Sequence, residues 1–416
     1  GKPRELSEYV NGVAHGRYVL WHGSGKRAVE GMLDHGKRNG LWRRWTEGGH
    51  QIEEQTFRDG VPDVRVVRWH DDGKPMLEGG LAAGKKDGRW RIWNQNGRLS
   101  RVENWDHGVG NGHLTVWLDS GKPVLDGELA HGKKQGRWRM WDEEGNLERE
   151  ENWDHGVKNG RFMERHNQAV VEEQSWSAGV PHGTWRIRDG ETVVFQGELD
   201  HGKKVGPWIE ALNQGEGAPI LASGEYRDGQ RNGVWTTRRG DKTLAVQGWA
   251  DGKPDGAWKI SYDGDKPADE GTFAAGERNG TFTHWREDGS RAYVYTYKAG
   301  KPDGSWVKFG AAGKPEITAH FTAGEPDGTW IVNRSGKPQK LKWKQGKPVP
   351  PTAADPRAEL EEEISRPETW EQGGNWPSGD DQGPSGTYDE PGAGTWEPDD
   401  GAEHHAQFGP PEDQLE

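Results

Sequence analysis

Large apolar side chains recur at two fixed distances from a repeating glycine along most of this chain. The unit opens with Gly, three residues, a second Gly, one residue and a large apolar residue, as in Gly132 to Trp138. The opening glycine stands at positions 12, 36, 60, 84, 108, 132, 156, 179, 202, 229, 252, 276, 300, 324 and 346. Most steps are 24 residues long, and a period in this range indicates an array of structural repeats.

Two rows of residues define the predicted structure of each unit, and every member is apolar or aromatic. Six residues after the opening glycine stand Tyr18, Trp42, Val66, Trp90, Leu114, Trp138, Phe162, Trp185, Trp208, Trp235, Trp258, Phe282, Trp306 and Trp330. Three residues before it stand Tyr9, Leu33, Phe57, Leu81, Trp105, Leu129, Trp153, Trp176, Leu199, Tyr226, Trp249, Phe273, Tyr297, Phe321 and Trp343. Both rows keep their distance from the glycine where the repeat length changes, so they flank one turn of constant geometry.

Between the two rows the polarity alternates with period two, as in Trp138 and Met140 separated by Arg139. This alternation predicts a half-buried β-strand. Runs such as Glu143-Glu144-Gly145 then reverse the chain. The sequence therefore predicts an all-β fold: an elongated, single-layer antiparallel sheet of about fourteen hairpin repeats, each of 23–24 residues.

The array is predicted to span residues 1–349 and to begin within a repeat, because Gly1-Lys2-Pro3 aligns with Gly73-Lys74-Pro75. We therefore expect an upstream segment. If that segment contains no targeting signal, we expect the bacterial cytoplasm as the compartment. If it contains one, we expect the periplasm or the cell surface.

Two copies of the unit depart from the pattern. Val64 replaces the second glycine of the third copy. A β-branched residue resists a positive φ, so we expect a local distortion near Gly60-Val61-Pro62. Extra residues around Gly215-Glu216-Gly217 predict a longer loop.

Residues 350–416 differ sharply in charge from the array. They hold 18 acidic and two basic side chains, whereas residues 1–349 hold 50 acidic and 53 basic ones. Such an acidic, Pro- and Gly-rich segment is predicted to be disordered. Trp370, Trp376 and Trp396 interrupt the acidic run, which leaves three interpretations open: the tail anchors a partner, it folds back onto a basic surface, or it only increases solubility.

Composition narrows the classes of partner. The chain has no cysteine, and no apolar run approaches the ~18 residues of a membrane-spanning helix. Basic residues recur in the turns between repeats at Lys37, Lys85, Lys133, Lys203, Lys253 and Lys301. Neighbouring carboxylates cancel most of their field, so nucleic acid is not an expected partner.

The motif from Asp126-Gly127-Glu128-Leu129 through His131-Gly132 to Gly136 resembles the MORN repeat. Glu198-Leu199 with His201-Gly202 repeats the match. The tryptophan after the second glycine is similar to the bacterial MORN-variant group, some members of which are described as antitoxins of the YwqK family. The resemblance implies an open sheet of hairpins, a role in scaffolding, dimerisation or membrane association, and no catalysis.

No set of residues stands apart from the repetition as a catalytic or cofactor site, so we expect neither an enzyme nor a bound cofactor. Histidines precede the opening glycine at His35, His107, His131, His155 and His201. Successive hairpins lie ~10 Å apart, so two neighbours in this row cannot share one ion. These histidines are therefore interpreted as turn residues, and no metal is predicted.

A further row of tryptophans gives the candidate interaction surface. It consists of Trp21, Trp45, Trp69, Trp93, Trp117 and Trp141, with Trp285 as an isolated later match. If these residues remain within the strand, their parity places them on the face opposite to Trp90 and Trp138. An exposed aromatic stripe usually marks an interaction surface; the alternative is that each ring covers its own hairpin turn.

Two function classes fit these patterns. The first is a non-catalytic scaffold that binds another protein, in the manner of an antitoxin or immunity protein, through the Trp21 to Trp141 row and the tail tryptophans. The second is a cell-wall or cell-surface module for carbohydrate or choline, with half-sites between hairpins lined by three aromatic residues. Membrane association ranks third, and open sheet edges predict self-association.

Overall fold

A computed structural model describes residues 4–166, 170–212, 218–262, 266–334 and 337–349 of the chain. The predicted tail with Trp370, Trp376 and Trp396, the start at residues 1–3 and the predicted long loop at residues 215–217 lie outside these ranges. All regular structure within them is β, in one long, open antiparallel sheet. The predicted fold class is therefore confirmed.

The strands follow one another along the chain, and six of those in the described ranges are two-residue segments that continue an opening turn. They are β1 (Glu5–Val10), β2 (Val13–Trp21), β3 (Arg27–Asp34), β4 (Lys37–Trp45), β5 (Gln51–Arg58), β6 (Val61–Trp69), β7 (Pro75–Ala82), β8 (Lys85–Trp93), β9 (Leu99–Asp106), β10 (Val109–Gly110), β11 (Gly112–Trp117), β12 (Pro123–Ala130), β13 (Lys133–Trp141), β14 (Leu147–Asp154), β15 (Val157–Lys158), β16 (Gly160–Arg165), β17 (Val170–Ser177), β18 (Val180–Asp189), β19 (Thr192–Asp200), β20 (Lys203–Ala211), β21 (Ile220–Arg227), β22 (Gln230–Arg239), β23 (Lys242–Ala250), β24 (Lys253–Ser261), β25 (Pro267–Ala274), β26 (Glu277–Arg278), β27 (Gly280–Trp285), β28 (Arg291–Lys298), β29 (Lys301–Pro302), β30 (Gly304–Phe309), β31 (Pro315–Thr322), β32 (Glu325–Pro326), β33 (Gly328–Arg334), β34 (Lys337–Lys344) and β35 (Lys347–Pro348).

Each long strand pairs with the strands before and after it, so the chain forms a meander. The turn at each opening glycine has two central residues with positive φ, for example His131 at 50° and Gly132 at 79°. This is the type I′ geometry, whose twist matches that of the flanking strands. Asn, Asp and His tolerate the left-handed region better than most residues, and they precede nine of the fifteen opening glycines, whereas alanine precedes five and glutamine one.

Successive turns are tied directly to one another. The N–H of each opening glycine donates to the carbonyl oxygen two residues after the preceding opening glycine. Gly36 donates to Ala14 at 2.7 Å and Gly132 to Gly110 at 2.8 Å, and the bond recurs in every described copy up to Gly346. These bonds stack the opening turns along one edge of the sheet, with one turn for each repeat of the sequence.

The core is a single layer of rings on one face of the sheet, which we call the inner face. Trp138, Trp208, Trp235, Trp306 and Trp330, from the row six residues after the glycine, have at most 1% of their surface exposed. Aromatic contacts then run unbroken from one row to the other through Trp249, Trp258, Phe273, Phe282, Tyr297, Trp306, Phe321, Trp330 and Trp343, with ring centroids 4.9–5.6 Å apart. The two predicted rows therefore form the core.

Several of these rings occupy space that is left free because the residue beneath them on the preceding strand is glycine. A Cβ built on Gly127 would lie within 3.0 Å of the Trp138 indole, and Gly31 and Gly79 stand in the same relation to Trp42 and Trp90. The indole N–H also donates to a carbonyl of that strand, as Trp138 does to Glu128 at 3.0 Å. Glycine is needed here for close approach rather than for its φ.

The row opposite the rings alternates along the first half of the array. Gly31, Gly79 and Gly127 lie against the rings of Trp42, Trp90 and Trp138, whereas the equivalent positions on the following strands are Gln55, Glu103 and Glu151, which pair with the same three tryptophans from the other side. Each of these tryptophans thus has a glycine on one neighbouring strand and a longer polar side chain on the other. Two hairpins, not one, form the full structural period in this region.

Cations lie inside this ring layer, a feature that the sequence pattern did not predict. Lys134, two residues after the opening glycine, places its Nζ 4.9 Å from the Trp138 ring centroid and 4.8 Å from that of Trp153. It donates to Glu151 at 2.9 Å, and Glu151 is 7% exposed. Lys86 and Glu103 form the equivalent pair at 2.6 Å.

The expected distortion of the third copy is not present, and that prediction was wrong. Val64 adopts a φ of 73°, close to the 69° of Gly40 and the 72° of Gly88 at the same position. The register then continues from Val64 opposite Leu81. The fixed turn imposes its backbone on the valine, so the strain is held within one residue and the turn stays intact.

Replacing Val64 by glycine should therefore stabilise the protein by about 1 kcal/mol, the relief of a left-handed β-branched residue less the entropy cost of glycine. The urea midpoint should rise. The reverse change, Gly88→Val, should lower the midpoint through the backbone alone, because a Cβ on Gly88 meets no atom within 4 Å. Equal stability of Val64→Gly and the natural chain would contradict this account of the turn.

Glu151→Leu should destabilise the array by about 3–5 kcal/mol, because Lys134 would keep a buried charge without its carboxylate. Adding Lys134→Met should recover much of that loss, since the paired charges would be replaced by apolar groups of similar length. Chemical unfolding of the two single variants and the double variant measures this coupling. Strictly additive effects would show that the two side chains do not act as a pair.

Candidate binding surface

The second face of the sheet, which we call the outer face, carries the side chains that alternate with the core rings. In β13 the inner residue Trp138 is followed by the outer residue Arg139, and Trp141 has the same parity as Arg139. Trp21, Trp45, Trp69, Trp93, Trp117 and Trp141 each form the last residue of a strand, at the same register in six successive hairpins. We call this set the tryptophan stripe.

A β-bulge fixes the stripe at the end of each hairpin. Leu20 pairs with Val29, but Trp21 pairs with Arg27, so Ala28 is the extra residue of the opposing strand. The same shift occurs just before each of the other five members. Bulges re-aim side chains, and here one lies opposite every ring of the stripe. The same shift recurs in copies without a tryptophan at this register, such as those with Arg188 and Ser261.

The rings of the stripe are half-buried and keep separate positions. In the part of the chain that the structure describes, no aromatic contact joins two members, and none of the six indole N–H groups has a protein partner or is buried. A spacing of two strands, or ~10 Å, accounts for their separation. The stripe therefore offers a row of ring edges and N–H donors at regular steps.

Part of the outer face is nevertheless shielded. Val19 and Val67 lie two residues before Trp21 and Trp69, on the same face, and are 1% and 7% exposed. The Arg139 guanidinium lies 5.5 Å from the Trp141 ring centroid. The Trp141 ring thus contacts a side chain of its own strand, as expected if a ring of the stripe also covers its hairpin.

Arginine and carboxylate side chains alternate across the rest of the outer face. The pairs are Arg17–Glu30 at 2.9 Å, Arg43–Glu54 at 3.0 Å, Arg65–Glu78 at 3.1 Å, Arg91–Glu78 at 2.6 Å, Arg139–Asp126 at 2.9 Å and Arg161–Glu173 at 2.6 Å. Partial burial raises the pKa of Glu78, but the hydrogen bonds from Arg91 and Arg65 outweigh it and hold that pKa below its ordinary value. Paired charges leave the stripe as the distinctive apolar feature of the face.

The stripe stops after the sixth hairpin. Arg165, Arg188, Ala211, Arg238 and Ser261 occupy the same register in the following copies, and a tryptophan returns at Trp285. Trp285 sits behind the same bulge, opposite Arg291. It therefore provides a structural equivalent of the stripe that is separated from it.

The surface of the described residues includes a shallow depression of about 250 Å³, lined by Arg161, Glu173, Gln174, Ser175, Thr184 and Arg186. Its lining is polar and contains no aromatic ring. The half-sites of three aromatic residues expected for carbohydrate or choline binding would need rings that converge at the surface. Trp42 and Phe57, at 6.2 Å, are buried in the core, whereas Trp153, Phe162 and Trp176, at 5.7 and 5.9 Å, are half-buried.

Groups able to hold a metal ion lie at the edge formed by the opening turns. Among the described residues, three clusters have ligand atoms within 4.8 Å of one another: His15–Asp34–His35, His182–Asp200–His201 and Asp87–Asp106–His107. In the last, the hydrogen bond to Asp106 and the charge of Asp87 raise the pKa of His107. A comparison of histidines within one row could not reveal the first two clusters, because His15 and His182 belong to another row.

No helix among the described residues has the length and apolarity needed to span a membrane.

The fold and the surface define a linear β-hairpin repeat protein. The family model described as MORN repeat variant matches residues 134–155, which confirms the resemblance for the copy that contains Trp138. No curated protein matches the chain. A solved structure entitled "Crystal Structure of TcdB2-TccC3-Cdc42" aligns with 81% of this chain and 23% of its own, at 10% identity and a TM-score of 0.13. The chain thus spans under a quarter of that structure's length, and a score this low carries no argument about fold or function.

Proposed function

We propose that this chain is a non-catalytic scaffold that binds another protein across the tryptophan stripe. The observation that carries the proposal is the placement of six tryptophans at one register on the outer face, each opposite the same bulge. A MORN-variant repeat, found at residues 134–155, also supports a repeat-based binding scaffold.

The chemistry of the stripe favours a protein partner. Tryptophan and arginine are the residues that most often dominate protein interfaces, because they bury a large area and still donate hydrogen bonds. Within the described residues the indole N–H groups of the stripe lack protein partners, and the neighbouring arginines are already neutralised by carboxylates. A partner would gain apolar contact and regularly spaced donors without having to compensate a strong charge.

Within this class, we propose an antitoxin-like or immunity-like role, in which the stripe covers a surface of a toxic partner. The support is the resemblance to MORN-variant proteins of that description. A partner whose toxicity in cells is suppressed by the natural chain, but not by a stripe variant, would meet this narrower proposal. If the partner is harmless when it is expressed alone, the antitoxin role is excluded, whereas the scaffold role is not.

The combined change Trp93→Ala and Trp117→Ala should abolish capture of the partner, because two central rings of the stripe are lost. For a purified partner the affinity should fall at least about 30-fold, the effect of one interface residue worth about 2 kcal/mol. Affinity capture with mass spectrometry, followed by titration calorimetry, measures both quantities.

Trp285→Ala is the matched control, since it removes a ring from the same register behind the same bulge. It should leave binding unchanged while causing a similar local loss of stability. Equal loss of binding in both variants would contradict a role of the stripe. Retention of the natural chain on a choline or glucan resin, lost in the Trp93 and Trp117 variant, would instead support the carbohydrate-binding alternative.

A further inference from the structure

The edge of the sheet at the opening turns contains a second bond that links one turn to the next. In many turns the side chain three residues after the opening glycine accepts a hydrogen bond from the backbone N–H just before the next opening glycine. Asn111 accepts from His131 at 3.2 Å, Asn159 from Ala178 at 3.2 Å and Asp255 from Ala275 at 2.9 Å. We call this bond the turn staple.

Histidine occupies the staple position at two places, His15 and His182. Both lie in closely similar segments, Gly12-Val13-Ala14-His15-Gly16 and Gly179-Val180-Pro181-His182-Gly183. Both are followed, one turn later, by Asp-His: Asp34-His35 and Asp200-His201. The two turns with histidine at the staple position are thus followed by the same dipeptide, although they lie in distant parts of the array.

The two clusters have the same geometry. His15 Nδ1 lies 3.1 Å and His35 Nδ1 2.5 Å from Asp34 Oδ1, and the two imidazole centroids are 5.3 Å apart. In the second cluster the corresponding distances from Asp200 Oδ1 are 3.4 Å to His182 and 2.6 Å to His201, with centroids 5.2 Å apart. One carboxylate oxygen thus lies between two imidazoles from adjacent turns.

We propose that each His–Asp–His cluster binds a divalent transition-metal ion, with Zn²⁺ as the best-suited species. Two imidazole nitrogens and one carboxylate oxygen form a donor set that Zn²⁺ accepts, with water in the fourth position. Ligand atoms at ~2.0–2.1 Å from a tetrahedral ion lie about 3.3 Å from one another. All ligand atoms of each cluster already lie within 4.8 Å. Small rotations of these accessible side chains bring them to that spacing.

The ion would take the place of the turn staple. It would join His15 on one turn to Asp34 and His35 on the next, and likewise His182 to Asp200 and His201, and so tie successive hairpins at this edge. Imidazole donors disfavour Mg²⁺ and Ca²⁺, which prefer oxygen ligands. The residues of these clusters are separate from the tryptophan stripe, so metal binding and partner binding can fail independently.

The test uses the purified chain, Zn²⁺ and substitutions that restore the ordinary turn. His15→Asn and His182→Asn introduce the residue that forms the staple at positions 111 and 159, so the variants are expected to fold. Equilibrium dialysis with elemental analysis should show one fewer bound Zn²⁺ per chain for each substitution and two fewer for the double variant. Zn²⁺ should also raise the thermal midpoint of the natural chain, but not that of the double variant.

His131→Asn is the control, because His131 occupies the same turn position as His35 but has Ala130 before it and Asn111 in the preceding turn. It should leave the stoichiometry unchanged. The proposal is overturned if the natural chain binds no Zn²⁺, if the double variant binds as much as the natural chain, or if His131→Asn causes the same loss.

Discussion

The contact between an indole ring and a glycine of the preceding strand is the interaction on which the rest of this sheet depends. The ring of Trp138 occupies the space that a side chain at Gly127 would fill, and its N–H bonds the backbone of that same strand. One hairpin alone would leave this ring in water, and a two-stranded ribbon is at best marginally stable. Each copy is therefore stable only beside its neighbours, as in other linear repeats.

The two faces of the sheet have different roles, because the inner face holds the core and the outer face carries the candidate binding surface. The inner face must keep its two rows of apolar residues, although the positions facing them alternate between glycine and longer polar side chains in the first half of the array. The repeats differ further on the outer face and at the turn edge, in the tryptophan stripe of the first six hairpins and the paired histidine clusters at two turns. Function in a repeat array is best sought where the repetition is broken or extended.

The spacing of apolar residues was enough to predict the hairpins, the meander and the two core rows, because strand alternation and glycine turns are local properties of the sequence. The parity of the stripe likewise follows from local alternation alone. Lys134 and Glu151 could not be predicted to be buried, because charged residues are normally solvated and only the ring packing places them inside. The interaction partner of the stripe remains a proposal.

Other features depended on contacts between turns. Val64 was predicted to distort its turn, but the bonds from neighbouring turns hold the backbone in place. His15 and Asp34 are brought together by the stacking of one turn on the next. The sequence does contain a signal for this cluster, namely histidine at the staple position followed by Asp-His about 20 residues later. That spacing can be interpreted only once the turns are known to stack.

The central claim is most directly tested by exchanging one ring-and-glycine pair for the alternative pair that the chain uses elsewhere. Gly127→Gln and Trp138→Val should each destabilise the array. Trp138→Val should cost about 3–5 kcal/mol for loss of the ring, and Gly127→Gln at least about 1–3 kcal/mol for the clash of the added side chain. The double variant reproduces the Gln55 and Val66 pair. Its loss of free energy of unfolding should therefore be much smaller than the sum of the two single losses. A double variant whose free energy of unfolding is simply additive would contradict the account.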